Sequence, residues 1–544
     1  MPIENKEATV AASSGEMTGL SMIGFSAGRG RGTTFQAFDP STGEKLEPKY
    51  YSASSEDLAA AVRLAADAFP KYSRVSGRDK AAFLRTIADR IDGLVETLVE
   101  RTVQETALPA ARVRGETART SGQLRLFAAV VEEGSWVNAR IDPALPDRKP
   151  LPRPDLRSML RPLGPVAVFS ASNFPIAFSV VGGDTASALA AGNPVIVKAH
   201  AAHPGTSELI GNAVRESVRE HGLPEGVFSM LYDAGYEIGT ELVQHPEIKA
   251  VGFTGSRAGG QALIKAASQR AEPIPFYAEM SSVNPVFILS GALRERRDEI
   301  AAGLAASFTM GSGQFCTKPG IVLLKADAQA EQFTAKLADH VAGSPDFMLL
   351  TAGIQSAYTR GAAERAKIAG ANKFAEGKSA TGSGYRVSAL AFTTEARTLA
   401  ENPSLADELF GPSTLVAKYS DDSELLTIAR NLEGHLTATV HGTKEDLVEH
   451  AELLQILEGK VGRVIINGFP TGVEVSHAMV HGGPYPATSD VRTTSVGTQA
   501  IFRFARPVCY QGFPDELLPD ELKSSNPLGI WRLVDGAMTP DPMS

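Results

Sequence analysis

A thiol set among glycines is the first feature to suggest chemistry. Cys316 stands in Gly311-Ser-Gly-Gln-Phe-Cys-Thr-Lys-Pro, after an apolar helical stretch and before an apolar strand. Such a turn exposes a side chain at the end of a sheet. A thiol there is a strong nucleophile, and its addition to a carbonyl creates an oxyanion that needs preorganised hydrogen-bond donors. The competing reading is a small buried hydrophobe, which suits the other cysteine, Cys509, in Arg506-Pro-Val-Cys-Tyr with no glycine beside it. Glu279, in Phe276-Tyr-Ala-Glu-Met-Ser-Ser, ends another apolar run. A desolvated carboxyl there has a raised pKa and works as a general base near neutrality, or else it caps a turn. Asn173, in Ser170-Ala-Ser-Asn-Phe-Pro, ends a third run, and its amide could donate to an oxyanion or simply form a turn.

The rest of the composition narrows the class. Across 544 residues, 43% are hydrophobic and 21% charged, which excludes disorder and fibre and leaves room for three or four domain-sized units. With 53 Lys plus Arg against 62 Asp plus Glu, the net charge of −9 has the wrong sign for gathering nucleic acid. Two cysteines cannot form a disulfide scaffold and suit a reducing compartment. The first residues lack the charged flank and apolar run of a secretory signal, so a cytoplasmic location is expected, with residues 1 to about 17 a polar lead-in. The most apolar stretch is interrupted by Asn173, Pro175, Asp184 and Pro194, so no membrane span is expected.

These candidate residues need a scaffold, and the apolar periodicity supplies one. Helical spacing runs from about 55 to 131 as three helices, followed by a Pro-rich extended arm (Pro143, Pro146, Pro150, Pro152, Pro154). Between 165 and 270, short β-branched runs near 166–169, 195–197, 227–231 and 250–253 alternate with helical ones. Strand–helix–strand alternation means crossover units and a parallel sheet covered on both faces, so a nucleotide-binding α/β domain is predicted. A second such cycle spans strands near 286–289, 321–324, 414–416, 437–440 and 464–466. The Pro-rich tail from 508 carries apolar patches and is expected to pack on the body or on a neighbour.

Taken in order, Ser-Asn-Phe-Pro, Gly252-Phe-Thr-Gly-Ser, Ala278-Glu-Met, Gly313-Gln-Phe-Cys and Glu408-Leu-Phe-Gly-Pro resemble the motifs of the aldehyde dehydrogenase superfamily, with the thiol 37 residues after the carboxylate. The resemblance runs from about residue 33 to 510. It implies two Rossmann-like parallel-sheet domains plus a bridging β arm. The dinucleotide-binding domain would take 18–140 and 163–282, the catalytic domain 283–490, the oligomerisation arm 141–162 and 491–512, and the tail 513–544. It further implies Cys316 as nucleophile, Glu279 as base, and Asn173 with the Cys316 N–H as oxyanion hole. For the cofactor it implies Lys198 on the adenosine ribose, Gly255 and Ser256 at a helix start against pyrophosphate, Gly260 as a further loop position, and Glu408 and Phe410 at the nicotinamide end. Family members that prefer NAD often carry Glu three residues after the lysine. That place is Ala201 here, so NADP is expected over NAD, with Lys198, His200 and Arg257 as nearby cations.

Departures from the common pattern, Glu279-Met-Ser-Ser and Arg503-Phe-Ala-Arg-Pro-Val-Cys-Tyr-Gln, resemble the branch that oxidises 2-oxoglutarate semialdehyde. A 2-oxo carboxylate calls for a fixed guanidinium. Arg119, ahead of Arg125, is the candidate, with Phe174 and His477 as further substrate contacts. A homodimer or homotetramer is implied, and a long-chain fatty aldehyde is the alternative substrate. Outside the family the rival is a nucleotide-independent thiol hydrolase using Cys316 and His477. The elbow-like Gly24-Phe-Ser-Ala-Gly28 has no strong strand before it or helix start after it. No metal site is expected, because His477-Ala-Met-Val-His481 lacks the Glu of a zinc motif.

Overall fold

The computed structural model describes residues 17–543; the expected lead-in falls almost wholly outside them. Two seven-stranded sheets carry the fold. The first is built on parallel strands Val166–Phe169, Val195–Lys198, Phe228–Leu231, Ala250–Thr254 and Phe276–Glu279, linked by helices Gly183–Ala191, Pro204–Glu220, Glu237–Gln244 and Arg257–Ser268. Its strands are mainly apolar, with Lys198 and Glu279 at carboxyl ends, because both faces are covered: Val166 and Val168 enter one core, Ala167 and Phe169 the other. The second sheet repeats this, with Phe287 in one core and Val286 and Ile288 in the other.

The amino-terminal helical region holds four helices, Ser55–Tyr72, Gly77–Gly93, Val95–Thr106 and Ala110–Glu133, one more than periodicity suggests. The expected third helix breaks at Ala107, whose positive φ of 53° ends the run just before Pro109. Within the expected arm segment 491–512, residues Thr498–Phe504 form a 3-10 helix and Ala505–Gln511 a strand. It pairs antiparallel with Leu156–Pro162, which pairs with Arg140–Asp142. The tail extends that arm by two more strands, Arg532–Val534 and Ala537–Thr539, and buries Leu518, Leu522 and Ile530 against Val137, Ile141 and Met159. Ser26 of the Gly-x-Ser-x-Gly stretch lies exposed in a two-residue edge strand, with no helix behind it. No helix among the described residues is long and apolar enough to cross a membrane.

Candidate active site

The carboxyl ends of the parallel strands converge on one cleft, where open α/β sheets bind ligands. Asn173 follows strand Val166–Phe169, and Glu279 closes strand Phe276–Glu279. The Cys316 turn enters from the second sheet, bent by positive φ at Gly311 (58°), Ser312 (60°) and Gly313 (68°). Gly313 is required there: a Cβ would come within 2.2 Å of the Gly411 carbonyl, in the segment that carries Glu408 and Phe410. Two further contacts fix the turn. Asn284 Nδ2 donates to the carbonyls of Cys316 (2.8 Å) and Lys318 (3.0 Å), and the buried Lys318 ammonium donates to Leu409 O (2.8 Å) and Ser413 O (3.1 Å).

The histidine of the site is His481, not His477. His477 is exposed and only meets Thr498 Oγ1 at 3.3 Å. Four residues on, His481 is 1% exposed, with Nε2 2.7 Å from Glu279 Oε1 and 3.5 Å from Cys316 Sγ. The loop that delivers it is tied to the Glu279 strand by Met280 N–H to Ala487 O (2.8 Å) and Ser489 N–H to Ala278 O (3.1 Å). The same loop brings Ser495, whose hydroxyl donates to Glu279 Oε2 at 2.7 Å. The local signal in the sequence is slight: the turn Gly482-Gly-Pro follows His481, whereas His477 stands between Ser476 and Ala478.

Electrostatics correct the expected state of Glu279. Burial alone would raise its pKa, but the charge of His481 and hydrogen bonds from His481, Ser495 and Cys316 outweigh burial and hold the carboxyl below its usual value. The resting group is therefore an ionised carboxylate. Its pairing stabilises the fold above the ordinary carboxylate range, and that stabilisation is lost as pH falls through the lowered folded value. Burial, then the Glu279 charge, pushes the Cys316 thiol well up, so the proton rests on sulfur. With the carboxylate 2.7 Å away, the His481 Nε2 proton is directed to Glu279. Glu279 itself is then the nearest acceptor for the thiol proton.

Asn173 Nδ2 donates one proton to Gln314 O at 2.9 Å, beside the nucleophile turn, and leaves its second for an oxyanion. Phe174 packs edge-on against Phe178 and Phe315, with ring centroids 5.2 and 5.0 Å apart. Two arginines, Arg112 and Arg119, stack on this aromatic wall and the charge of a third, Arg463, acts on Cys316; sequence reading found one of the three. Arg112 stacks on Phe174 and Phe315 but is committed to Glu116 and to Asn173 O. Arg463 donates to Pro470 O and Gly472 O. Arg119 lies over Phe178 at 5.1 Å, contacts Val473 O at 3.4 Å, and keeps its buried Nη1 without a partner. Arg125 is on the surface, paired with Asp89 and Asp92.

Of the residues expected to hold a dinucleotide, Glu408 and Arg257 line a cleft of about 740 Å³ together with Ser281 and Glu433, whereas Lys198, His200, Gly255, Ser256, Gly260 and Phe410 lie outside its lining. Glu408 suits one end of such a molecule. Burial raises Glu408 to about 7 against the opposing charge of Lys318, and a ribose diol would satisfy its oxygens. Gly255 and Ser256 are exposed at the start of helix Arg257–Ser268, where N–H groups favour phosphate. Three expectations need correction. Gly260 is inside that helix, buried against Met280, where a Cβ would approach Met280 Sδ to 2.6 Å, so it serves packing rather than the open loop. Arg257 is paired with Glu433 at 2.9 Å. His200, half-buried and stacked on the buried His203, is driven neutral chiefly by burial. Lys198 is thus the remaining cation of the expected three.

Residues 27–486 match the aldehyde dehydrogenase family. Among curated proteins, the alpha-ketoglutaric semialdehyde dehydrogenase 2 of Azospirillum brasilense is 51% identical, covering 96% of this chain and 99% of its own. The alpha-ketoglutaric semialdehyde dehydrogenase of Acinetobacter baylyi is 47% identical over 90% of this chain and 93% of its own. Among solved structures, a 1-pyrroline-5-carboxylate dehydrogenase from Thermus with bound NAD superimposes with a TM-score of 0.75 at 21% identity, covering 90% of this chain and 92% of that one.

Proposed function

The chain belongs to the aldehyde dehydrogenase family, and we propose that it oxidises 2-oxoglutarate semialdehyde to 2-oxoglutarate in the cytoplasm, as a homodimer or homotetramer, with NADP preferred over NAD. Glu279 takes the thiol proton, and the Cys316 thiolate adds to the aldehyde carbon. The oxyanion so formed is held by Asn173 Nδ2 and the Cys316 N–H. A bound nicotinamide dinucleotide supplies the hydride acceptor. Loss of hydride leaves a thioester on Cys316. Glu279 releases the thiol proton to solvent and, held by His481 and Ser495, then removes a proton from the attacking water; that proton passes to the leaving sulfur, and the acid departs with Cys316 returned as the thiol. Lys198, Ser256, Glu408 and Phe410 would hold the dinucleotide.

The observation that carries the substrate is the unpaired Nη1 of Arg119 on an aromatic wall beside Cys316. A buried guanidinium with a free donor calls for a carboxylate, and the two relatives at 47–51% identity bear the matching name. The same cationic wall speaks against a long alkyl chain, which would have to desolvate it. Arg119→Met should raise KM for 2-oxoglutarate semialdehyde by about 100-fold, the loss of one charge-assisted pair of about 3 kcal/mol, and should leave kcat/KM for an uncharged aldehyde within a few-fold. Equal losses with both substrates would refute the carboxylate contact.

NADP preference rests on Ala201, which leaves no carboxylate to repel a 2′-phosphate, together with Lys198. The measurement is kcat/KM with each dinucleotide. A ratio favouring NADP is expected, and Ala201→Glu should reverse it; equal values in the unaltered enzyme would refute the preference.

A further inference from the structure

We infer that Cys316, His481 and Glu279 also form a reversible binding site for a thiophilic divalent cation of the zinc class, which holds the enzyme inactive with its thiol protected. These three side chains present one sulfur, one imidazole nitrogen and one carboxylate oxygen within 4.8 Å of one another, the one such trio among the described residues. Zinc takes this ligand set at roughly 2.0–2.3 Å per bond, which sets tetrahedral donors about 3.3–3.6 Å apart. The Sγ–Nε2 distance is already 3.5 Å, whereas Nε2 and Oε1, now hydrogen-bonded at 2.7 Å, must open by about half an ångström. The three ligands leave a fourth position for water on the substrate side. Magnesium and calcium, which demand six or more oxygens, are poorly served. On binding, the thiol proton leaves to solvent, the Nε2 proton moves to Nδ1, and no electron is transferred.

Two features keep the binding weak. His481 Nδ1 is buried without a partner, so the metal-bound tautomer lacks the outer hydrogen bond that usually strengthens such a ligand by about 10–100-fold. The charges of Arg119 and Arg463 also act on this centre. Reversible inhibition rather than a resident metal follows from this balance. The inference goes beyond the proposed reaction and does not depend on which aldehyde is oxidised.

Cobalt(II) is the probe. Titrated into the full-length protein free of dinucleotide, it should give a sulfur-to-cobalt charge-transfer band and tetrahedral visible bands that saturate at one metal per chain, and zinc should displace it. Cys316→Ala should abolish the charge-transfer band, while His481→Asn and Glu279→Gln should each weaken binding by about 10-fold or more. Cys509→Ser, at the exposed thiol of the arm, should change nothing. Melting curves establish that each variant is folded. Zinc, but not magnesium, should inhibit turnover, and EDTA should restore it. The site is refuted by a saturation other than one, by the lack of a band, by a band that survives Cys316→Ala or disappears in Cys509→Ser, or by inhibition that EDTA does not lift.

Discussion

Cys316→Ala should abolish dinucleotide reduction and nucleotide-independent ester hydrolysis together, with kcat falling on the order of 10⁵-fold or more, because both reactions need the same covalent step. Asn284 Nδ2 holds the turn by the Cys316 carbonyl, which the substitution leaves in place while it removes the Sγ contact to His481, so the turn should survive and the melting temperature should stay close to that of the unaltered enzyme. Steady-state assays with and without dinucleotide, on a sample whose melting curve is recorded, check this. Residual ester hydrolysis above background would mean that another nucleophile works in the chain. Cys509 is exposed in the strand Ala505–Gln511, opposite Ser158 of the arm, and is not expected to replace it.

The second large effect belongs to Glu279. Glu279→Gln keeps the shape and an acceptor for His481 but removes the charge and the base. Thioester hydrolysis should slow by about 10²–10⁴-fold, the usual range for a general base. The first-turnover burst should be reduced less: the thiol loses Glu279 as its proton acceptor, but removing a neighbouring anion makes it easier to ionise to solvent. Since the Glu279 charge helps push the Cys316 pKa up, its removal must move the thiol titration to lower pH. The rate of iodoacetamide alkylation against pH reads this directly. Burst and steady-state rates falling equally, or a titration that moves upward, would contradict the assignment.

What could be read in the chain follows from how each part is held. Strands buried on both faces, such as Val166–Phe169 and Val195–Lys198, appear as continuous β-branched runs and fall where the apolar pattern puts them. Glu279 and Asn173 were legible because each closes or follows such a run, and Cys316 because its Gly-rich turn stands between an apolar helical stretch and the strand Ile321–Lys325. The segment near 347–395 was not, because its strands are short or at a sheet edge and half-exposed, as in Asn372–Glu376, with weak alternation. His481 belongs to a loop without periodicity, placed by bonds to Ala278 and Met280 some 200 residues earlier, and nothing local distinguishes it firmly from His477. The protonation of Glu279 was misread for the same reason. Burial can be inferred from an apolar neighbourhood, but the partners that reverse its effect, His481 and Ser495, arrive from distant sequence. The tail strand Arg532–Val534, too, owes its place to pairing with Arg140–Asp142 rather than to its own pattern.

The most direct test of the central claim is kcat/KM across a panel of aldehydes, followed by the absorbance of the reduced nicotinamide, with 2-oxoglutarate semialdehyde set against succinate semialdehyde, glutaraldehyde and decanal. The Arg119 site predicts 2-oxoglutarate semialdehyde as the best substrate, ahead of uncharged glutaraldehyde and decanal by about 10-fold or more. Decanal as the best substrate, or no dinucleotide reduction with any of the four, would contradict it.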